Sequence, residues 1–243
     1  MNQDSVVSVS SSRSSSSPKI KGILLDIDNT LYQYDPLHQH AMQTVWQWVE
    51  AKIPIELDQF KLAFKRARQQ IHQELAEQAA SHNRLLYFER CCELCGLNPL
   101  RYAHALYTEY WDDFIAHLIL EASALKYLQA NQLPICLLTD LTADIQYRKI
   151  QKLGLADFCQ HVITSEAAGI EKPHPYMFLS ALQTLALQPS EVLMIGDNLN
   201  KDILGAHQLG ITALWLNRDQ QNVQLPEHCH RISSLAEVFA FYE

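Results

Sequence analysis

The sequence predicts an α/β protein: a doubly wound, parallel-sheet (Rossmann-like) core with an all-helical cap inserted into it. Three observations carry that prediction. Short, continuous apolar runs bounded by turn residues read as strands buried on both faces. Stretches of helical periodicity separate them. The strand ends at Asp28 and Thr139 lie more than a hundred residues apart, where a strand, crossover helix and next strand need about 30.

Taken in order, residues 1–18 hold eight serines between positions 8 and 17 and lack the apolar core of a signal peptide. They read as a disordered tail. The run Ile23-Leu24-Leu25 is a first strand, and it leads into Asp26-Ile27-Asp28-Asn29-Thr30. Ligands of open parallel sheets gather outside the carboxyl ends of strands, so Asp26 and Asp28 would face a site mouth. On its own, this segment describes a solvated loop equally well.

Four helices should follow. Asp35-Pro36 is suited to a helix start, and Leu37, Ala41, Val45 and Trp48 keep its period. A second helix begins near Asp58, with Phe60, Phe64, Ala67, Ile71 and Leu75 on one stripe. A third carries Leu85, Phe88, Cys92 and Cys95 before Gly96, and Asn98-Pro99 opens a fourth with Ala103, Leu106, Tyr110 and Phe114. Residues 36–117 are therefore assigned to the cap, and residues 19–35 with 118–243 to the core.

Within the core, Leu133–Leu138 is a second strand ending in Thr139-Asp140, and Glu191–Ile195 another, running into Gly196-Asp197. Lys172 and His174 sit among prolines that keep them in a loop. Helices are expected over Ala143–Leu153, Pro175–Leu187 and Lys201–Leu209. Further strands are expected at His161–Thr164 and Ile211–Leu216, with an edge strand at 229–232 before a terminal helix.

A net charge of −8 argues against nucleic-acid binding. No stretch is apolar enough to cross a bilayer, and with no export signal the expected compartment is the cytoplasm. The six cysteines read as reduced, buried thiols. Trp46, Trp48, Tyr107, Tyr110 and Trp111 read as bundle core, the scattered histidines as solvated, and Asn198 and Asn200 as turn formers.

The four ordered segments around Asp26/Asp28, Thr139, Lys172 and Asp197 resemble the haloacid dehalogenase-like hydrolase superfamily from Lys21 to about Leu216. The resemblance implies that Asp26 is a nucleophile forming an aspartyl-phosphate and that Asp28 is the acid and base. It also implies that Thr139 holds phosphoryl oxygens and that Lys172 neutralises charge. Asp26, Asp197, Asp202 and the main-chain carbonyl of Asp28 would bind a cation. Carboxylates this close repel by roughly 4 kcal/mol per pair at an effective dielectric of 20, so a hard, oxygen-preferring ion such as Mg²⁺ is expected. Halide expulsion needs no proton whereas an alkoxide does, so Asp28 favours phosphate esters.

Asp140 stands where relatives often carry a small polar residue, and Thr139, Asp140, Lys172 and Arg84 are the candidate substrate contacts. The cap and the run Leu138–Lys149 look most like sugar-phosphate phosphatases, including acylneuraminate-type members, while Asp26–Tyr32 also resembles nucleotidases. The expected function is a Mg²⁺-dependent phosphomonoesterase of a small phosphorylated metabolite, sugar phosphate or nucleotide, working as a monomer or homodimer. A phosphomutase and a non-catalytic regulatory module on a phosphatase scaffold are the alternatives.

Overall fold

The computed structural model describes residues 19–242; the Ser-rich stretch read as a tail lies outside the described residues. Strand β1 (Gly22–Leu25) is followed by helices α1 (Tyr34–Lys52), α2 (Leu57–Glu74), α3 (Arg84–Leu94) and α4 (Pro99–His117). Then come α5 (Ala122–Ala130), β2 (Ile135–Thr139), α6 (Ala143–Lys152), β3 (His161–Thr164), α7 (Ser165–Ala168) and α8 (Pro175–Leu185). The chain closes with β4 (Val192–Gly196), a wide π-type turn at Leu199–Leu204, α9 (Gly205–His207), β5 (Thr212–Leu216) and β6 (Cys229–Ile232).

All six strands are parallel, in the order β3-β2-β1-β4-β5-β6. The chain winds outward from β1 to β3 and returns to start again at β4. The winding direction thus reverses between β1 and β4, which opens a crevice at their carboxyl ends. Leu25 is level with Leu137 and Ile195, so Asp26, Thr139 and Asp197 leave the sheet at one rim.

Alternation along the strands divides the interior into two apolar layers. On β1, Leu24 joins Met177 and Phe178 of α8 on one face, while Ile23 and Leu25 face the other. That second layer runs without a break into the bundle, through Val45, Phe88, Trp111 and Phe114. Helix α4 packs between α1 and α3, and α2 packs on α3. The two crossings between bundle and core are tied together, since Glu121 N–H donates to the Leu31 carbonyl at 3.0 Å.

Local chemistry accounts for the helix ends. Asn98 accepts from Leu100 N–H with Pro99 at the first position, and Gly96 takes φ +67° to end the preceding helix. Several boundaries differ from expectation. The first helix starts at Tyr34, one residue before Asp35-Pro36. The expected helix over Lys201–Leu209 is divided, because Asn198 caps Asn200 and Lys201 N–H groups and Asp202 turns back to accept from Asn198 N–H. Helix α5, nine residues long, was not expected from the sequence, and the terminal helix is a 3₁₀ segment capped by Ser234 and Glu237. All six cysteines are free thiols. Among the described residues no helix is long and apolar enough to cross a membrane.

Replacing Asn98 by Ala removes the cap of α4 and should cost about 1 kcal/mol. Urea unfolding should show a lower midpoint at unchanged slope; an unchanged midpoint would mean that the cap carries no stability.

Candidate active site

The site is built on the turn that follows β1. Asn29 takes φ +64°, a conformation Asn tolerates well, and the chain folds back so that Thr30 Oγ1 donates to Asp26 Oδ2 at 2.9 Å. Arg218 fixes this turn from outside. Its guanidinium donates to the carbonyls of Asn29 (2.7 Å) and Thr30 (3.2 Å) while gripping both oxygens of Glu121 at 3.0 Å.

Lys172 is the hub. Its buried ammonium lies 2.7 Å from Asp26 Oδ1, 2.7 Å from Asp202 Oδ1 and 2.9 Å from the Leu138 carbonyl. Burial opposes its charge, but Asp202 and Asp26 outweigh that effect and hold it well above the usual lysine range. Asp197 reaches the same place from β4 and accepts from Asn29 Nδ2 at 2.9 Å. Asp26, Asp197 and Asp202 bring one carboxylate oxygen each within 4.8 Å of the others.

Three buried acids and one lysine leave excess negative charge. Burial, with repulsion from Asp202 and Asp28, raises the Asp26 carboxyl to about 7 against the pull of Lys172. Burial and the Asp26 charge raise Asp197 to about 6, and burial raises Asp202. A cluster of hard oxygen donors deficient in positive charge fits a divalent cation such as Mg²⁺.

Asp28 points to a different set of partners. Lys149 Nζ lies 2.5 Å from Asp28 Oδ1, Gln146 Nε2 donates to Oδ2 at 2.8 Å, and the Tyr32 hydroxyl donates to Oδ1. Burial pushes the Asp28 carboxyl up, yet the Lys149 charge and these hydrogen bonds prevail and hold it below its ordinary value. The fully buried Lys149 ammonium also faces Trp111 and Phe114, 5.4 and 5.6 Å from the ring centroids.

The remaining expected residues are placed as follows. Thr139 is fully buried; its hydroxyl donates to the Asp140 carbonyl and accepts from Gln146. Asp140 spends its carboxylate within the protein, accepting from Lys172 N–H (3.0 Å) and Lys201 Nζ (2.9 Å), so its extra charge is neutralised and it positions Lys172. Arg84 begins α3 and lines the cavity. His174 caps α8 by accepting from Tyr176 N–H. His40 and His117, read as solvated, are exposed and flank Asp113 on the bundle surface.

Lys149, Gln146, Arg218 and Lys201 were not singled out from sequence. One signal existed for two of them: Gln146 and Lys149 fall on the same helical stripe as Ile145, Ile150 and Leu153. The acids and cations converge on one cavity of about 330 Å³, within the range of small-molecule sites. Its walls come from the strand ends, including Asp26, Asp28 and Asp197, and from bundle residues, including Tyr34, Arg84 and Trp111.

An open α/β sheet with an aspartate-bearing turn at its switch point, a buried lysine and an acidic cluster is the framework of a group-transfer hydrolase. The chain belongs to the haloacid dehalogenase-like hydrolase family, whose model matches residues 20–210. It is 34% identical to a ribulose-1,5-bisphosphate 5-phosphatase of Halopiger xanaduensis, over 82% of this chain and 86% of that one. It is 28% identical to a glyceraldehyde 3-phosphate phosphatase of Methanopyrus kandleri, over 86% and 89%. The solved structure of a HAD phosphatase from Thermococcus onnurineus superimposes with a TM-score of 0.70 at 26% identity, covering 92% of this chain and 99% of that one.

Gly196 leaves room for Asp202: a Cβ there would stand 2.3 Å from Asp202 Oδ2 and 2.6 Å from its Cβ. Gly196→Ala should therefore displace Asp202 from Lys172, cost about 1–3 kcal/mol and lower Tm by about 2–4 °C per kcal/mol. A crystal structure with Asp202 still on Lys172 would contradict this packing account.

Proposed function

We propose that the protein is a cytoplasmic, Mg²⁺-dependent phosphomonoesterase that cleaves a small sugar phosphate through an aspartyl-phosphate on Asp26. The observation that carries this reading is the division of labour between two acids. Asp26 is held by Lys172 beside the acidic cluster, whereas Asp28, two residues on, is held separately by Lys149, Gln146 and Tyr32. The names of the relatives, phosphatases of phosphorylated sugars and trioses, support the substrate class.

In this reading, residues 36–117 are the cap and residues 19–35 with 118–243 the core. Asp26, Asp197, Asp202 and the Asp28 carbonyl would hold Mg²⁺. When bound, the ion supplies positive charge that offsets the carboxylates and the phosphoryl oxygens. Lys172 pulls Asp26 towards its ionised form and aims it, and an Asp26 oxygen attacks phosphorus while the ester P–O bond breaks. Asp28 gives the departing oxygen its proton, then takes one from the water that hydrolyses the aspartyl-phosphate and releases inorganic phosphate.

The donors around Asp28 favour its ionised form at rest, the form needed for the second step. A dianionic substrate beside it shifts the balance towards the protonated form needed for the first. Thr139 would contact the phosphoryl group by turning its hydroxyl away from Gln146 and the Asp140 carbonyl.

Asp26→Asn should fold normally and lose activity on the order of 10³-fold or more, measured by phosphate release with a panel of sugar phosphates; near-normal turnover would reject the nucleophile. Chelation should abolish turnover, and Mg²⁺ should restore it. Full rate in excess chelator would reject the metal.

A further inference from the structure

The bundle side of the cavity carries hydrogen-bond donors that have no anion of their own. Arg84 stands at its centre. Its guanidinium donates to the His82 carbonyl at 2.8 Å and to the Tyr34 hydroxyl, and lies 5.4–6.0 Å from the ring centroids of Tyr34, Tyr87, Tyr110 and Trp111. Among the described residues no carboxylate pairs with it. A cation enclosed by aromatic rings without a counter-charge is costly unless something else supplies one.

Two further donors line the same cavity. The indole N–H of Trp111, in a side chain 1% exposed, has no hydrogen-bond partner. Arg68 of α2 is exposed and, among the described residues, also forms no ion pair. The other cations of the cavity are already committed: Lys149 to Asp28, Lys172 to Asp26 and Asp202, and Lys201 to Asp140 and Glu171. His82 faces Glu171. The bundle contributes one carboxylate to the lining, Asp35, which is exposed and pairs with neither arginine.

We infer that Arg84, Arg68 and the Trp111 indole form a second anion subsite. The substrate therefore carries two anionic groups, the phosphate that is cleaved and another, phosphate or carboxylate, at its far end. The inference rests on the phosphatase reading for which end reacts. The subsite itself follows from the unpaired donors. Arg is suited to the task because its planar fork grips carboxylate and phosphate oxygens two at a time.

Two matched pairs of compounds test it: glycerol 3-phosphate against 3-phosphoglycerate, and ribulose 5-phosphate against ribulose 1,5-bisphosphate. The wild type should favour the doubly anionic member of at least one pair by tenfold or more in kcat/KM, mainly through KM. The favoured pair identifies carboxylate or phosphate as the far group. Arg84→Met and the surface variant Arg68→Ala should each bring that ratio towards one, and Trp111→Phe should reduce it less.

Calorimetric affinities of Asp26→Asn for the same four compounds score the subsite independently of turnover. Tighter binding of a doubly anionic member with no phosphate release by the wild type would retain the subsite and reject the phosphatase reading. Ratios within twofold in both pairs, in kinetics and in binding, would overturn the subsite.

Discussion

One buried ammonium organises this protein. Lys172 bridges two carboxylates from different parts of the chain, Asp26 after β1 and Asp202 after β4, and donates to the end of β2 as well. Each of the two carboxylate contacts is worth several kcal/mol at an effective dielectric near 20, against a desolvation cost of similar size. The arrangement persists because the surroundings over-determine it. Asp140 accepts from the Lys172 backbone, Gly196 makes space for Asp202, and Arg218 with Glu121 fixes the turn that presents Asp26. Remove any of these and the charges lose their registration.

The second centre has a different physical character. Lys149 is enclosed by aromatic rings and meets Asp28 as a close pair, with Gln146 and Tyr32 completing the carboxylate's partners. Two carboxylates separated by one residue in sequence are thereby placed in opposite electrostatic settings, one raised and one lowered. The two acids therefore titrate apart, and a cation held by Asp26, Asp197 and Asp202 would favour the ionised form of Asp26.

The sheet and the four bundle helices were legible in the sequence because strands buried on both faces leave unbroken apolar runs and amphipathic helices leave a stripe. The positions of Asp26, Asp28, Thr139 and Asp197 at strand ends followed from those same runs. Lys149, Arg218 and Lys201 were not legible, since a charged residue in a helix or loop reads as solvent-facing until its partners are known. Those partners are remote: Asp28 for Lys149, Glu121 for Arg218, Asp140 and Glu171 for Lys201. The wide turn at Leu199–Leu204 was missed for a related reason, as it depends on Asp202 folding back rather than on any periodic pattern.

The paired crossings at Leu31 and Glu121 constrain how the bundle can move. Both chain passages are joined by a hydrogen bond and stapled by Arg218, and the bundle meets the core again through Asp112 with Arg148 and through Ser81 with Glu171. Arg84 and Trp111 stand on the bundle side of the cavity and Asp26 on the side of the sheet. The length of molecule that fits between them is thus set by how these junctions seat the bundle on the rim of the sheet.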